Sequence, residues 1–304
     1  MAATALIRAA TRGSPLALWQ ASHVAGLLAT RLPGLEVEIV VVDTEGDRRL
    51  DVPISEMGGK GIFAKEVQAA VLDGRADFAV HSAKDLPAVA LPGLVIAAVP
   101  ERGDPRDALV GGRLGTLPSG ATVATGSQRR RVQLAAIRPD LVFTELRGNM
   151  ASRLSKVPEG GAIVVAAAAL QRLQLADQLD EIISPDELVP QVGQGALAVE
   201  CREDDEAVRG LLAFIEHAPS RRQVDAERAF LAELGGDCDL PAGAHATFID
   251  EVGDVAETGR LRLSAFLASE GTARANVVRM RYLDEDPVAL GTHVARELRT
   301  ALGS

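Results

Sequence analysis

An α/β architecture in three domains is predicted by three observations. Short apolar strands alternate with amphipathic helices through two successive units, and three period-2 segments follow near the C-terminus. The chain has 304 residues, 47% apolar but only 3% aromatic. That length can bury two or three cores, which must rest on Ala, Val and Leu.

The first unit opens with "ALIRAATRGS", a short strand and a turn. Ser14 suits an N-cap and Pro15 the first helical position, and Leu16, Trp19, Val24, Leu27 and Leu28 supply an approximate apolar face. "EVEIVVV" (36–42) is the next strand. "IFAKEVQAAVLDGRADFAVHSAKDLP" then reads as helix, Asp-Gly turn, strand and a loop ending at Pro87. Such alternation predicts a mostly parallel sheet.

A second unit begins after "PERGDPRDALVGG". "ATVAT" (121–125) is a strand, "SQRRRVQLAAI" a helix start, "LVFTEL" a strand and "RGNMASRLSKV" a further helix. "AIVVAAAAL" reads as one buried strand, and "PQVGQGALAVEC" (190–201) as a strand after a Gly-rich turn. The third unit starts near "APSRRQVDAERAFLAEL", an amphipathic helix. "AHATFI", "RLRLSAF" and "ARANVVRMRY" follow as period-2 strands, and a helix over 286–302 closes the chain.

The net charge of −10 is unevenly spread. Residues 1–156 hold 19 Lys/Arg against 16 Asp/Glu, a net of +3, whereas residues 157–304 hold 13 against 26, a net of −13. This argues against general nucleic-acid binding, which wants a broad basic face, and suits a local cleft for a small anion. No apolar run approaches the length of a membrane span. Arg8 and Arg12 interrupt the start before a signal-like core can form. The expectation is a cytoplasmic protein with free thiols at Cys201 and Cys238.

Several chemistries are excluded by pattern. "GGKGIF" (58–63) has Gly61 where a phosphate loop needs Ser or Thr, and no G-x-G-x-x-G sits at a strand–helix junction. The five histidines are scattered, without H-E-x-x-H or C-x-x-C, so no metal is expected and each reads as a surface or core residue. No G-x-S-x-G is present.

What remains is a repeated placing of cations where loops meet helix starts. Arg12 precedes the first helix, whose free N–H groups attract anions. "TGSQRRR" puts Thr125 and Ser127 at another start, with Arg129 and Arg130 in its first turn, against the helix dipole. Arg147 and Arg153 in "LRGNMASRL" repeat the arrangement. Forked guanidiniums suit carboxylates. "HSAKDLP" (81–87) ends a strand at the edge where open α/β sheets bind ligands, with Lys84 to hold an anion and Asp85 to steady a cation or move a proton. Cys238 lies between Asp237 and Asp239, which raise its pKa and make it a poor recurrent nucleophile.

"TRGSPLALWQA", "GGKGIFAKE", "HSAKDLP", "DPRDALV", "LRGNMASRL", "VGQGALAVECR" and "GGDCDLPAGAHA", in unbroken order, resemble the porphobilinogen deaminase family. The resemblance implies two domains like the halves of periplasmic-type solute-binding proteins around a cleft, and a third, small α/β domain with a three-stranded sheet. These correspond to residues 1–99 plus 195–215, 104–190 and 216–304, with crossing segments near 99–104 and 190–196. It implies a transferase that condenses four porphobilinogen molecules head to tail, each losing ammonia, onto a dipyrromethane primer and releases hydroxymethylbilane. Cys238 matches the residue that carries the primer by a thioether. Asp85 matches the catalytic carboxylate, which stabilises the cationic azafulvene left by ammonia.

Ser82, Lys84, Thr125, Ser127, Arg129, Arg130, Arg147 and Gly148 match positions toward the cofactor. Arg12, Ser14, Gln20, Arg153, Gln194 and Lys60 match positions toward the substrate, Lys60 in a loop covering the cleft. Each pyrrole brings an acetate and a propionate, which the arginines would gather. Departures are Ala83, Ala124, Gly126 and Gln128, and Asp237 and Asp239 around the cysteine, where the family favours Gly-Gly-Cys-Gln. The resemblance also implies a monomer. A non-catalytic binder of a small polyanion, using the same cleft, explains the arginines but gives Asp85 and Cys238 no joint task.

Overall fold

Three sheets organise the chain in the computed structural model, which describes residues 5–44, 64–235, 241–250, 255–256, 259–269 and 277–303. The chain divides into two compact units, Met1–Arg102 with Ala196–Arg222, and Gly103–Gly195 with Gln223–Ser304.

In the first unit, β1 (Ala5–Arg12), β2 (Leu35–Val42), β3 (Phe78–Ser82), β4 (Leu94–Ala98) and β10 (Leu197–Arg202) form a sheet of order β2-β1-β3-β10-β4. β1 is parallel to β2 and β3, as the alternation predicted. β10 runs antiparallel to both β3 and β4 because it enters after the chain's passage through the second unit. α1 (Pro15–Arg31) covers one face, where Ile7, Phe78, Val80, Leu197 and Val199 pack. α2 (Lys65–Leu72) supplies Val67, Ala70 and Val71 to a separate cluster with Ala10 and Ala79.

The buried stripe of α1 is Ala17, Gln20, Ala21, Val24 and Leu28, spaced by three or four residues. Leu16 and Trp19 lie beside it rather than on it, and Trp19 stacks on His23 with centroids 4.9 Å apart. Val24 and Leu28 of the expected face are on this stripe and Leu27 packs against the same core, while the small Ala17 and Ala21 complete it.

In the second unit, β5 (Asp107–Val110), β6 (Thr122–Ala124), β7 (Val142–Thr144), β8 (Ala162–Ala166) and β9 (Glu181–Ile182) form a sheet of order β7-β6-β8-β5-β9. β6 is parallel to β7 and β8, and β5 is antiparallel to β8 and β9. α3 (Gln128–Ile137) and α4 (Met150–Leu154) follow β6 and β7. The apolar run 162–170 is not one strand. β8 ends at Ala166, and the alanines continue as α5 (Ala167–Arg172), since Ala is the strongest helix former once the β-branched Ile-Val-Val is past.

The remaining sheet of this unit is antiparallel, of order β12-β11-β13-β14, from β11 (Ala242–Ile249), β12 (Val255–Ala256), β13 (Arg260–Ala268) and β14 (Val277–Asp284). Its three long strands are those the alternation predicted, and β12 adds a two-residue edge. α6 (Glu206–Leu212) belongs to the first unit, α7 (Ala218–Glu233) runs from the first into the second, and α8 (Pro287–Leu302) closes the chain. α8 is capped by Asp286 and buries Leu290, Val294, Ala295 and Leu298. A Cβ at its Gly291 would collide with the Ala226 carbonyl, so only glycine permits this crossing of α8 on α7.

Candidate functional site

In the first unit, the end of β3 is fixed from two sides. Leu197 of β10 pairs with Ser82, and the Ala83 N–H donates to the Ala196 carbonyl at 3.0 Å. Gln20 of α1 donates through Nε2 to Ser82 Oγ at 2.8 Å. These bonds hold the short 3-10 turn Ala83–Asp85, which carries Lys84 and Asp85, both half-buried. Ser14 caps α1 by accepting from Ala17 N–H at 3.3 Å, which places Arg12, the last residue of β1, beside the helix start.

Arg12, Ser14, Gln20, Ser82 and Asp85 line one cavity of about 50 Å³. Parts of the chain separated by some 70 positions therefore meet at one carboxylate-sized space with a guanidinium, hydroxyls, an amide and a carboxylate around it. His81, which also lines this cavity, belongs to a buried polar cluster without a sequence pattern. His81 Nε2 is 3.1 Å from Glu200 Oε2, and Gln68 Nε2 donates to the same oxygen at 2.9 Å. His81 is a core residue, and an isolated histidine carries no sequence signal of its buried partner.

In the second unit, Ser127 caps α3 by accepting from Arg130 N–H at 3.4 Å, and Thr125 Oγ1 accepts from Ser127 N–H at 3.2 Å. Arg129 and Arg130 are buried, at 4% and 7% exposure, and converge on the wholly buried Asp107. Arg130 donates through Nε and Nη2 to Asp107 Oδ1 at 2.9 and 2.8 Å and through Nη1 to the Val164 carbonyl at 2.9 Å. Arg129 Nη2 lies 2.7 Å from Asp107 Oδ2, and its Nη1 donates to the Val189 carbonyl at 2.6 Å. Arg129 Nε is buried without a hydrogen-bond partner among the described residues. Burial pushes the Asp107 carboxyl up, but the charges of Arg129 and Arg130 overcome this and hold it down at about 2.

Gln194, also buried, donates through Nε2 to Asp107 Oδ1 at 2.9 Å and to the Pro105 carbonyl at 2.7 Å. It sits between Gly193 (φ 70°) and Gly195 (φ 83°), where a Cβ at Gly195 would lie 2.5 Å from the Gly103 carbonyl. Arg172 donates to the Gly195 carbonyl at 2.6 Å, and burial lowers its pKa to about 10. Arg153 is in the last turn of the five-residue α4 rather than at its start, and donates through Nε to the Gly148 carbonyl at 2.8 Å. Gly148 has φ 110°, and a Cβ there would meet Ser152 Oγ at 2.6 Å. Arg147 precedes α4 and is half-buried.

Asp107 stands at the head of a strand that otherwise reads Ala-Leu-Val, all buried. A carboxylate opening an apolar strand is the signal that could have marked it, since it must find cations. Lys60 and Cys238, with Asp237 and Asp239, lie outside the described residues. Cys201 is buried in β10, where burial and Asp205 push its thiol up to about 11, so it is an inert core thiol.

Together these features are a small cavity lined by Arg12, Ser14, Gln20, Ser82 and Asp85 in the first unit, and a buried pair of guanidiniums on Asp107 at a helix start in the second. Two family models match the chain. "Porphobilinogen deaminase, dipyromethane cofactor binding domain" matches residues 7–210, and "Porphobilinogen deaminase, C-terminal domain" matches residues 222–300. The porphobilinogen deaminase of Nitratidesulfovibrio vulgaris (strain Miyazaki F) is 50% identical over 242 residues, 78% of this chain and 76% of that protein. The porphobilinogen deaminase of Syntrophotalea carbinolica is 48% identical over 260 residues, 83% of this chain and 82% of that protein. Among solved structures, the methionine-binding protein MetQ overlaps 76% of this chain and 95% of its own at 13% identity, with a TM-score of 0.42. The chain belongs to the porphobilinogen deaminase family.

Proposed function

We propose that this chain is a transferase of tetrapyrrole biosynthesis that condenses four porphobilinogen molecules head to tail, with loss of four ammonia, and releases hydroxymethylbilane. The observation that carries the reading is Asp85, held on a turn tied to β10 and lining one cavity with Arg12, Ser14, Gln20 and Ser82. Arg12 and the hydroxyls take a substrate carboxylate, and Asp85 faces the amine and pyrrole N–H groups. It assists protonation of the leaving amine, offsets the positive charge that remains, and accepts the proton released after carbon–carbon bond formation.

The residues of the second unit fit a carboxylate-bearing dipyrromethane. Two guanidiniums share the single carboxylate of Asp107 at the start of α3, and Arg129 Nε is buried without a hydrogen-bond partner among the described residues. When bound, the dipyrromethane supplies the terminal ring on which the chain grows. Arg129, Arg130, Ser127, Thr125, Arg147 and Gly148 would hold its carboxylates. Cys238 would carry it through a thioether that persists between turnovers, so the acidic neighbours of the thiol would bear on assembly and not on later turnovers. Arg153 and Lys60 are assigned to the substrate, and Gln194 serves it through Asp107, to which it donates.

The working parts are residues 1–99 plus 195–215 for the catalytic turn, 104–190 for the arginines and 216–304 for the cysteine. Among the described residues, no helix is long and apolar enough to cross a membrane. The reading adds a cytoplasmic monomer without nucleic-acid partners. Intact-mass spectrometry of protein made in a haem-competent host is expected to show two pyrrole units added at Cys238. An unmodified mass would favour a plain polyanion binder and sink this assignment.

A further inference from the structure

The arginine pair at the start of α3 is held by a residue to which neither the motifs nor the proposed chemistry gives a task. We propose that Asp107 is a positioning residue: it locks Arg129 and Arg130 in one arrangement and leaves the pair one surplus positive charge, for one ligand carboxylate. The inference rests on the proposed function for the identity of that ligand.

Each oxygen of Asp107 is committed to a different guanidinium, Oδ1 to Arg130 and Oδ2 to Arg129. The far sides of both guanidiniums are tied to backbone carbonyls, Val164 for Arg130 and Val189 for Arg129. A guanidinium held on two sides has little rotamer freedom left, so it need not be ordered when a ligand arrives. The first turn of α3 contains no acidic residue, so the cluster gains no second anion there, and the helix dipole adds to the surplus.

Gln194 belongs to the same device. Its amide nitrogen donates to Asp107 Oδ1 and to the Pro105 carbonyl, so it acts on a ligand through Asp107. The Gln194 backbone is in turn set by the two left-handed glycines beside it.

The test compares wild type, Asp107→Asn, Gln194→Leu and the double variant from one haem-competent host. Loaded fraction is read by intact mass, folding by circular dichroism, and KM for porphobilinogen on the loaded chains. Asp107→Asn turns one acceptor into a donor facing a guanidinium and is expected to accumulate as the unloaded mass. Gln194→Leu keeps all three charges. It is expected to fold as wild type and to lose part of the loaded fraction, less than Asp107→Asn does, because one hydrogen bond to a charged group is gone. In the Asp107→Asn background, Gln194→Leu is expected to add nothing to the loading defect. Folded Asp107→Asn with wild-type loading and KM overturns the inference. If Asp107→Asn does not fold, Gln194→Leu decides, and a wild-type loaded fraction there overturns it. An unmodified wild-type chain would instead count against the proposed function.

Discussion

Asp85 and Asp107 are both carboxylates among arginines, and their surroundings give them different work. Asp107 is wholly buried, accepts from the Arg130 guanidinium and the Gln194 amide and is ion-paired with Arg129, so its charge is consumed in holding them. Asp85 is half-buried on a turn and lines a cavity, where a developing cation can reach it. Asp85→Asn keeps the shape and removes the charge. The expected outcome is an unchanged adduct mass with turnover reduced about 10²–10⁴-fold, the range of a positioned acid–base group. Ammonia release per loaded chain measures it, and near-normal release would take Asp85 out of its role.

At the scale of elements, local rules were readable and long-range ones were not. Ser14 and Ser127 were legible as caps because the rule needs only neighbouring residues, and both accept from the third following N–H. The turn at 83–85 was legible from its place after a strand. The inward face of α1 was legible at Val24 and Leu28, while Ala17 and Ala21 on the same stripe gave no signal because their side chains are small. The change from β8 to α5 inside one apolar run was misread because periodicity cannot divide a segment buried throughout. Asp107 could be marked by its place at the head of an apolar strand, but its partners could not, since Arg130 and Gln194 lie 23 and 87 positions away. A cap can be tested apart from the ligand. Ser127→Ala should lower the unfolding free energy by about 1 kcal/mol in chemical denaturation, with the slope unchanged. An unchanged midpoint would mean that packing alone fixes the start of α3.

At the scale of the whole molecule, the family was legible because its motifs run in order along nearly the entire chain, whereas the acid behaviour follows from pairings that only the structure shows. Asp77, Asp104, Asp107 and Asp140 are all held below the usual carboxylate range. Burial opposes the shift at the first three, and Arg8, Arg106 and the Arg129–Arg130 pair outweigh it; hydrogen bonding from Arg138 leads at Asp140. A carboxyl depressed on folding contributes stability above its unfolded pKa and loses it as pH falls through its folded value. For Asp107 that window runs from 3.8 down to about 2, and the depression is worth about 2 kcal/mol. The net charge of −10 acts the other way at milder pH, since protonation first relieves self-repulsion. Thermal midpoints should therefore hold level from neutrality to about pH 5 and fall steeply below about pH 4. Asp107→Asn, if folded, should start lower at neutral pH, because it leaves two buried cations facing an amide, and then fall less steeply across the acid window. Scanning calorimetry of both proteins across that range measures the difference. Parallel acid limbs would show that Asp107 carries no such charge in the folded chain.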